Sequence, residues 1–213
     1  MAQRSRKFTR ITGVRSPDLL VIASEGAVTE VNYFQGVKSK IEESRINIEV
    51  LSRVESAHSG AERVIRQLDK YKRESGIGKS DQLCLVLDRD SQSLTEKNLA
   101  RVAKECDSKG YILALSNPCF EIWLLMHFKC LSEFNNSERA EMLNSKSRDM
   151  QALVRNCMPS GFQPTKLKID DFWDSTEIAA ERAEKADEDK NLRWPNVATS
   201  RIYLIMQKIL PAH

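Results

Sequence analysis

The sequence predicts an α/β fold: a mostly parallel sheet flanked by helices, followed by a mainly helical C-terminal part. Three observations carry this expectation. Short apolar runs recur through the first part of the chain, stretches with helical periodicity separate them, and two of those stretches carry helix-start signals. The runs "DLLVIAS", "INIEVLS", "QLCLVLD" and "YILALS" read as strands. The first, third and fourth are almost continuously apolar, as expected where both faces of a sheet are covered. After the first, Phe34, Val37 and Ile41 mark one helical face. After the second, Ser59 and Glu62 form a capping-box pattern ahead of Ala61, Val64, Ile65, Leu68 and Tyr71. After the third, Ser93 and Glu96 repeat that signal, and Leu99, Val102, Ala103 and Cys106 supply the apolar stripe. Repeated strand-helix units make a right-handed parallel sheet the economical topology.

The rest of the chain reads as helical. Met150, Leu153, Val154 and Cys157 share one face, and Ile202, Ile205, Met206 and Ile209 share another. "MPSGFQPTKLKIDDFW" is a connection containing Pro and Gly, and "EKADEDKNLRWPN" a charged loop or helix end. The expected organisation is a basic tail over 1–17 and a single domain over 18–213, with an α/β core to 130 and a helical extension beyond it. At 213 residues, with 41% hydrophobic and 30% charged residues, the chain is long enough to bury a real core.

The net charge of +3 is too small to identify a nucleic-acid binder, although Arg4, Arg6, Lys7, Arg10 and Arg15 concentrate positive charge before the first apolar run. Cys84, Cys106, Cys119, Cys130 and Cys157 lack zinc-type spacing and read as small core residues of a protein in a reducing cytoplasm. The longest apolar stretch, around 118–128, is too short to cross a bilayer, and the N-terminus lacks the order of regions of a signal peptide. A cytoplasmic protein with no membrane partner is therefore expected. No P-loop pattern occurs, so an ATP-driven step would need another chain. His58 reads as a surface residue and His127 as a core-edge residue, while Phe120, Trp123 and Phe128 read as packing residues.

The acidic residues follow the strands. Glu25 comes directly after the first, beside Gly26, which permits a tight turn. Asp88 and Asp90 end the third, and a spacing of two points both side chains the same way along an extended chain. Glu121 follows the fourth inside the apolar run "LSNPCFEIWLLMHF", with Asn117 and Pro118 suited to an N-cap and first helical turn. Open α/β sheets build their sites at the carboxyl ends of their strands, so these carboxylates are expected to converge. Crowded carboxylates repel one another, and magnesium, a hard cation that takes carboxylate and phosphate oxygens, relieves that repulsion. Each acid also has a plainer reading, as a helix-dipole partner for Glu121 or as a turn residue for the aspartates.

"VIASEGAVTEVNYF", "LVLDRD" and "SNPCFEIWLLMHF", in that order, together with the closing "WPNVATSRIYLIMQKIL", resemble the RloB-like family. The resemblance implies a Toprim-like, Rossmann-like fold and a phosphoryl-transfer site that uses Mg2+ or Mn2+, with Glu25 as the Toprim glutamate and Asp88 and Asp90 as its Asp-x-Asp pair. It also implies a nuclease acting on DNA or RNA in bacterial anti-phage defence, commonly beside an ATPase partner of AAA or ABC type. In that reading Glu25, Asp88, Asp90 and Glu121 hold metal. Lys166 is the candidate for stabilising transition-state charge, and Lys168 and Asn117 are candidates for contacting substrate. Lys168 competes with Lys166 for the lysine role. Ala27 stands where the family pattern suggests a basic or polar residue. A non-catalytic subunit binding nucleic acid or an ATPase, or a nucleotide-binding crevice lined by the acids, would use the same residues differently.

Overall fold

Residues 18–41, 46–52, 60–89, 94–158 and 160–210 are described by the structure, a computed structural model. The N-terminal basic residues, Ser59, Ser93, His58 and Asp90 lie outside them.

Strands β1 (Asp18–Ser24), β2 (Ile46–Leu51), β3 (Gln82–Asp88) and β4 (Ile112–Asn117) pair in parallel in the order β2-β1-β3-β4, and β5 (Thr199–Ser200) closes the edge antiparallel to β4. Alternate residues serve opposite faces, as the two-residue period of a strand requires. Leu20, Ile22, Cys84 and Val86 point into one apolar core, while Leu19, Val21, Leu83, Leu85 and Leu87 point into the other. That double burial explains why β1 and β3 are apolar almost without interruption.

Helix α1 (Thr29–Lys40) packs Tyr33, Phe34 and Val37 into the first core. Helices α2 (Gly60–Glu74) and α3 (Glu96–Lys109) cover the other face with Val64, Ile65 and Leu68 and with Leu99, Val102 and Cys106. The helix after β1 and the helix after β2 thus lie on opposite sides of the sheet. Helix α3, which follows β3, also lies opposite α1, so the connections leaving the adjacent strands β1 and β3 turn to opposite faces, the arrangement that leaves a crevice at the carboxyl ends of those two strands.

Two local expectations change. Helix α3 is capped by Thr95, whose hydroxyl accepts from the Asn98 N–H, rather than by Ser93, and it stops where Gly110 takes a left-handed conformation with φ 69°. Asn117 and Pro118 do not begin a helix: Asn117 is the last residue of β4, and α4 (Glu121–Met126) starts three residues after Pro118, with Phe120 before it. Asn117 is held in the sheet by pairing with Thr199, and its side-chain Nδ2 donates to the Pro195 carbonyl at 3.2 Å.

Beyond α4, helices α5 (Asn136–Asn144), α6 (Ser147–Cys157), α7 (Thr176–Ala186) and α8 (Tyr203–Ile209) extend the first core, with Met150, Val154, Ile202, Ile205, Met206 and Ile209 buried. The connection containing Pro and Gly forms short 3-10 turns at Pro164–Lys166, Ile169–Asp171 and Trp173–Ser175. His127 is fully inside this core rather than at its edge, 4% exposed among Tyr33, Trp123 and Phe172. Its Nδ1 lies 3.0 Å from the Trp123 carbonyl and its Nε2 3.2 Å from the Tyr33 hydroxyl, so the neutral ring donates through Nδ1 and accepts through Nε2. Burial pushes its pKa down to about 3. Cys84, Cys106 and Cys119 are buried and Cys130 and Cys157 half-buried, all as free thiols. Among the described residues no helix is long and apolar enough to cross a membrane.

Candidate active site

Glu25 leaves the end of β1 with its N–H still donating to Val86 of β3 at 3.0 Å, so its backbone is fixed to the neighbouring strand. Its carboxylate lies against Gly60, the first residue of α2, where a Cβ would overlap it. Arg63, nearly one turn further along α2, donates to the Glu25 carbonyl at 3.1 Å. The glycine therefore provides room for an acid at a helix start, where the peptide dipoles favour negative charge.

Gly26 has a related role. Its φ is not positive, so the turn does not depend on the freedom unique to glycine. What the position requires is space, because a Cβ there would collide with the carboxylate of Glu30. Glu30, in the first turn of α1, folds back over the loop and is only 6% exposed. Burial, reinforced by the negative charges of Glu121 and Glu25, raises its pKa to about 7, against the opposing pull of the Gly26 and Glu30 backbone N–H groups.

Glu121 opens α4 at 2% exposure, and α6 supplies its hydrogen-bond donors. The Ser147 hydroxyl and the Gln151 amide both donate to its Oε1 at 2.9 Å. A carboxylate inside an apolar helix is thus tolerated because a polar pair one turn apart on a neighbouring helix reaches it.

Glu25, Glu30 and Glu121 therefore share one electrostatic neighbourhood. Asp88 ends β3 opposite Ser116 of β4, while Val86, two residues earlier, is opposite Ser24 of β1. Asp88 and Glu25 thus stand at the carboxyl ends of adjacent strands, at the crevice where the sheet order reverses. Asp90 lies outside the described residues. Lys166 and Lys168 are exposed on the turns beside α1, which is linked to that segment by Asn32 Nδ2 donating to the Pro164 carbonyl at 3.1 Å. Ala27 is exposed next to Glu25.

Sequence reasoning misses Glu30, although a signal is present. Positions 30, 33, 34 and 37 form one stripe of α1, so Glu30 occupies the same buried face as Tyr33, Phe34 and Val37. An acid on the apolar side of an amphipathic helix marks a site as clearly as one within an apolar run.

These side chains offer the hard oxygen donors that magnesium prefers. Among the described residues, however, no three of the acidic, histidine or cysteine side chains are arranged to hold an ion. Glu121 is bonded to α6, and Glu30 to the backbone N–H groups of the loop it covers.

A cleft of about 310 Å³ opens beside this edge, lined by Arg89, Glu96, Asn117, Pro118, Leu143, Trp194, Pro195 and Asn196. Asn117 thus lies at the wall of a cavity reached from the residue that follows Asp88.

No curated protein and no solved structure matches the chain. A family model described as "RloB-like protein" matches residues 20–209, which include all five strands but for the first two residues of β1, the acids at the crevice and the closing helix, and the chain therefore belongs to the RloB-like family.

Proposed function

We propose that this chain is a nuclease that hydrolyses phosphodiester bonds in DNA or RNA with Mg2+ or Mn2+, acting in bacterial anti-phage defence beside an ATPase partner. The observation that carries this reading is the gathering of Glu25, Glu30 and Glu121, with Asp88 on the next strand, at the crevice between β1 and β3 of an RloB-like chain. An acid cluster that opposes its own ionisation is a poor way to stabilise a fold, and it is the arrangement expected where positive charge is recruited.

The chain's own residues contribute position and proton holding. Gly60 and Arg63 keep Glu25 in place, and Glu30 can hold or release a proton near neutral pH. Asp90, together with Lys166 or Lys168, completes the proposed set, with the lysines contacting phosphate and Asn117 contacting substrate.

A second reading rests on the bonds from Ser147 and Gln151 to Glu121, which give that carboxylate a role in the fold itself. In that reading the same edge binds nucleic acid or an ATPase without catalysis. A metal-titrated cleavage assay on RNA, single-stranded DNA and duplex DNA separates the two. Wild type is expected to cleave at least one substrate only with divalent metal, and Asp88→Asn to lose roughly a hundredfold or more of that rate while remaining folded. Metal-independent cleavage, or equal rates for wild type and variant, would overturn the nuclease mechanism.

A further inference from the structure

The cleft beside Asp88 has a composition that the acid cluster does not explain. Arg89 is on one wall, and its Nη1 donates to the Leu94 carbonyl at 2.9 Å. Trp194 is on another wall, half-buried and packed against the core formed by α2, α3 and the sheet. The backbone of the loop is pinned before and after Trp194. Arg201 Nη1 donates to the Leu192 carbonyl at 2.8 Å, and Asn117 Nδ2 donates to the Pro195 carbonyl. The loop that carries the indole is therefore held in place before any ligand arrives, which lowers the entropy cost of binding.

Three properties identify an occupant. The volume, about 310 Å³, suits one flat heterocycle with its sugar. Beside the Glu96 carboxylate, the lining combines an indole with a guanidinium and the amides of Asn117 and Asn196, the groups that stack on a base and bond to its edge or phosphate. The cleft also starts at Arg89, directly after Asp88, so a nucleotide held there places its neighbouring phosphate toward the proposed reacting edge.

From this juxtaposition we infer that the cleft binds a single unstacked nucleotide of the substrate, with its base on Trp194, and that the substrate class is single-stranded or locally unpaired nucleic acid rather than intact duplex. The inference rests on the nuclease reading for its place in a reaction, but the binding it requires can be measured without cleavage. Bases within a duplex are stacked on both sides and cannot enter such a cleft unless they are flipped out.

The test is a fluorescence titration of the full chain in chelator, using thymidine monophosphate, oligothymidylate, oligouridylate and a hairpin duplex as probes. Oligothymidylate and oligouridylate are expected to quench Trp194 emission and to bind at least tenfold tighter than the duplex, and the comparison of the two reveals any preference for DNA or RNA. Trp194→Phe should abolish most of the quenching while retaining binding by anisotropy, and Trp194→Ala should weaken that binding roughly tenfold to a hundredfold. Equal binding of duplex and single strands, or single-strand binding by wild type without quenching, overturns the inference even if Trp194→Ala fails to fold. Cleavage of duplex that is insensitive to Trp194 would sink the cleft and leave the nuclease reading standing. Single-strand binding through Trp194 with no cleavage under any metal would do the reverse.

Discussion

Two buried polar groups in this molecule are built on opposite principles. At the sheet's far edge Arg201, 7% exposed, reaches Asp187, 3% exposed, through Nε at 2.8 Å and Nη2 at 3.2 Å. The Tyr203 hydroxyl donates to the same carboxylate at 2.8 Å, and the third guanidinium nitrogen donates to Leu192. Opposite charges meet in a two-pronged pair with most donors used. At the crevice, Glu25, Glu30 and Glu121 carry the same sign, and Glu30 answers by holding its proton to about pH 7. The first group closes a loop onto the core, whereas the second holds like charges together at the proposed site. Burial alone does not distinguish the two; a proton affinity raised by burial and like charges is what makes the second a candidate.

The largest effect should come from breaking the satisfied group. Arg201→Ala leaves Asp187 buried without its cation and is expected to cost about 3–5 kcal/mol in urea unfolding, with the double variant Arg201→Met/Asp187→Leu recovering much of that loss. If the single variant loses less than about 1 kcal/mol, the pair is not the clamp described here.

Breaking the opposed group should have the opposite sign. In the unfolded chain Glu30 ionises around 4.5, whereas in the fold it ionises around 7. Below 4.5 both states are protonated and the group is neutral in its effect on stability; from 4.5 to 7 stability falls as pH rises, and above 7 the full cost is present. Glu30→Gln is therefore expected to stabilise the protein above pH 7 by up to roughly 3 kcal/mol and to change little at pH 4. A destabilisation at pH 8 that is absent at pH 4 would contradict the charge argument.

A smaller change sharpens the comparison. Glu121→Gln keeps an oxygen that accepts from Ser147 and Gln151 but removes one of the charges acting on Glu30. The Glu30 titration, followed by carboxyl NMR, should move below about 7, with a gain of about 1 kcal/mol or less at neutral pH. An unchanged titration would separate Glu121 from the cluster.

Much of this architecture is written locally. The apolar runs of β1, β3 and β4 and the stripes of α2 and α3 each bury themselves by a period readable within a few residues, so layers and strand direction follow from pattern alone. Glu25, Asp88 and Glu121 are legible for a related reason, since each sits where a strand ends or a helix begins. Other features depend on partners distant along the chain. β5 is two residues long and has no period to read, yet Ser116 and Ser200 meet across it with hydroxyls 2.8 Å apart. Asp187 sits in a segment that reads as a charged loop or helix end, and only the return of the chain from β5 into α8 brings Arg201 and Tyr203 to it. The proton affinity of Glu30 likewise belongs to no local motif. It is set by the low dielectric of a core assembled from both halves of the chain and by charges at positions 25 and 121, and a Coulomb field depends on distance in space, which only the tertiary fold establishes.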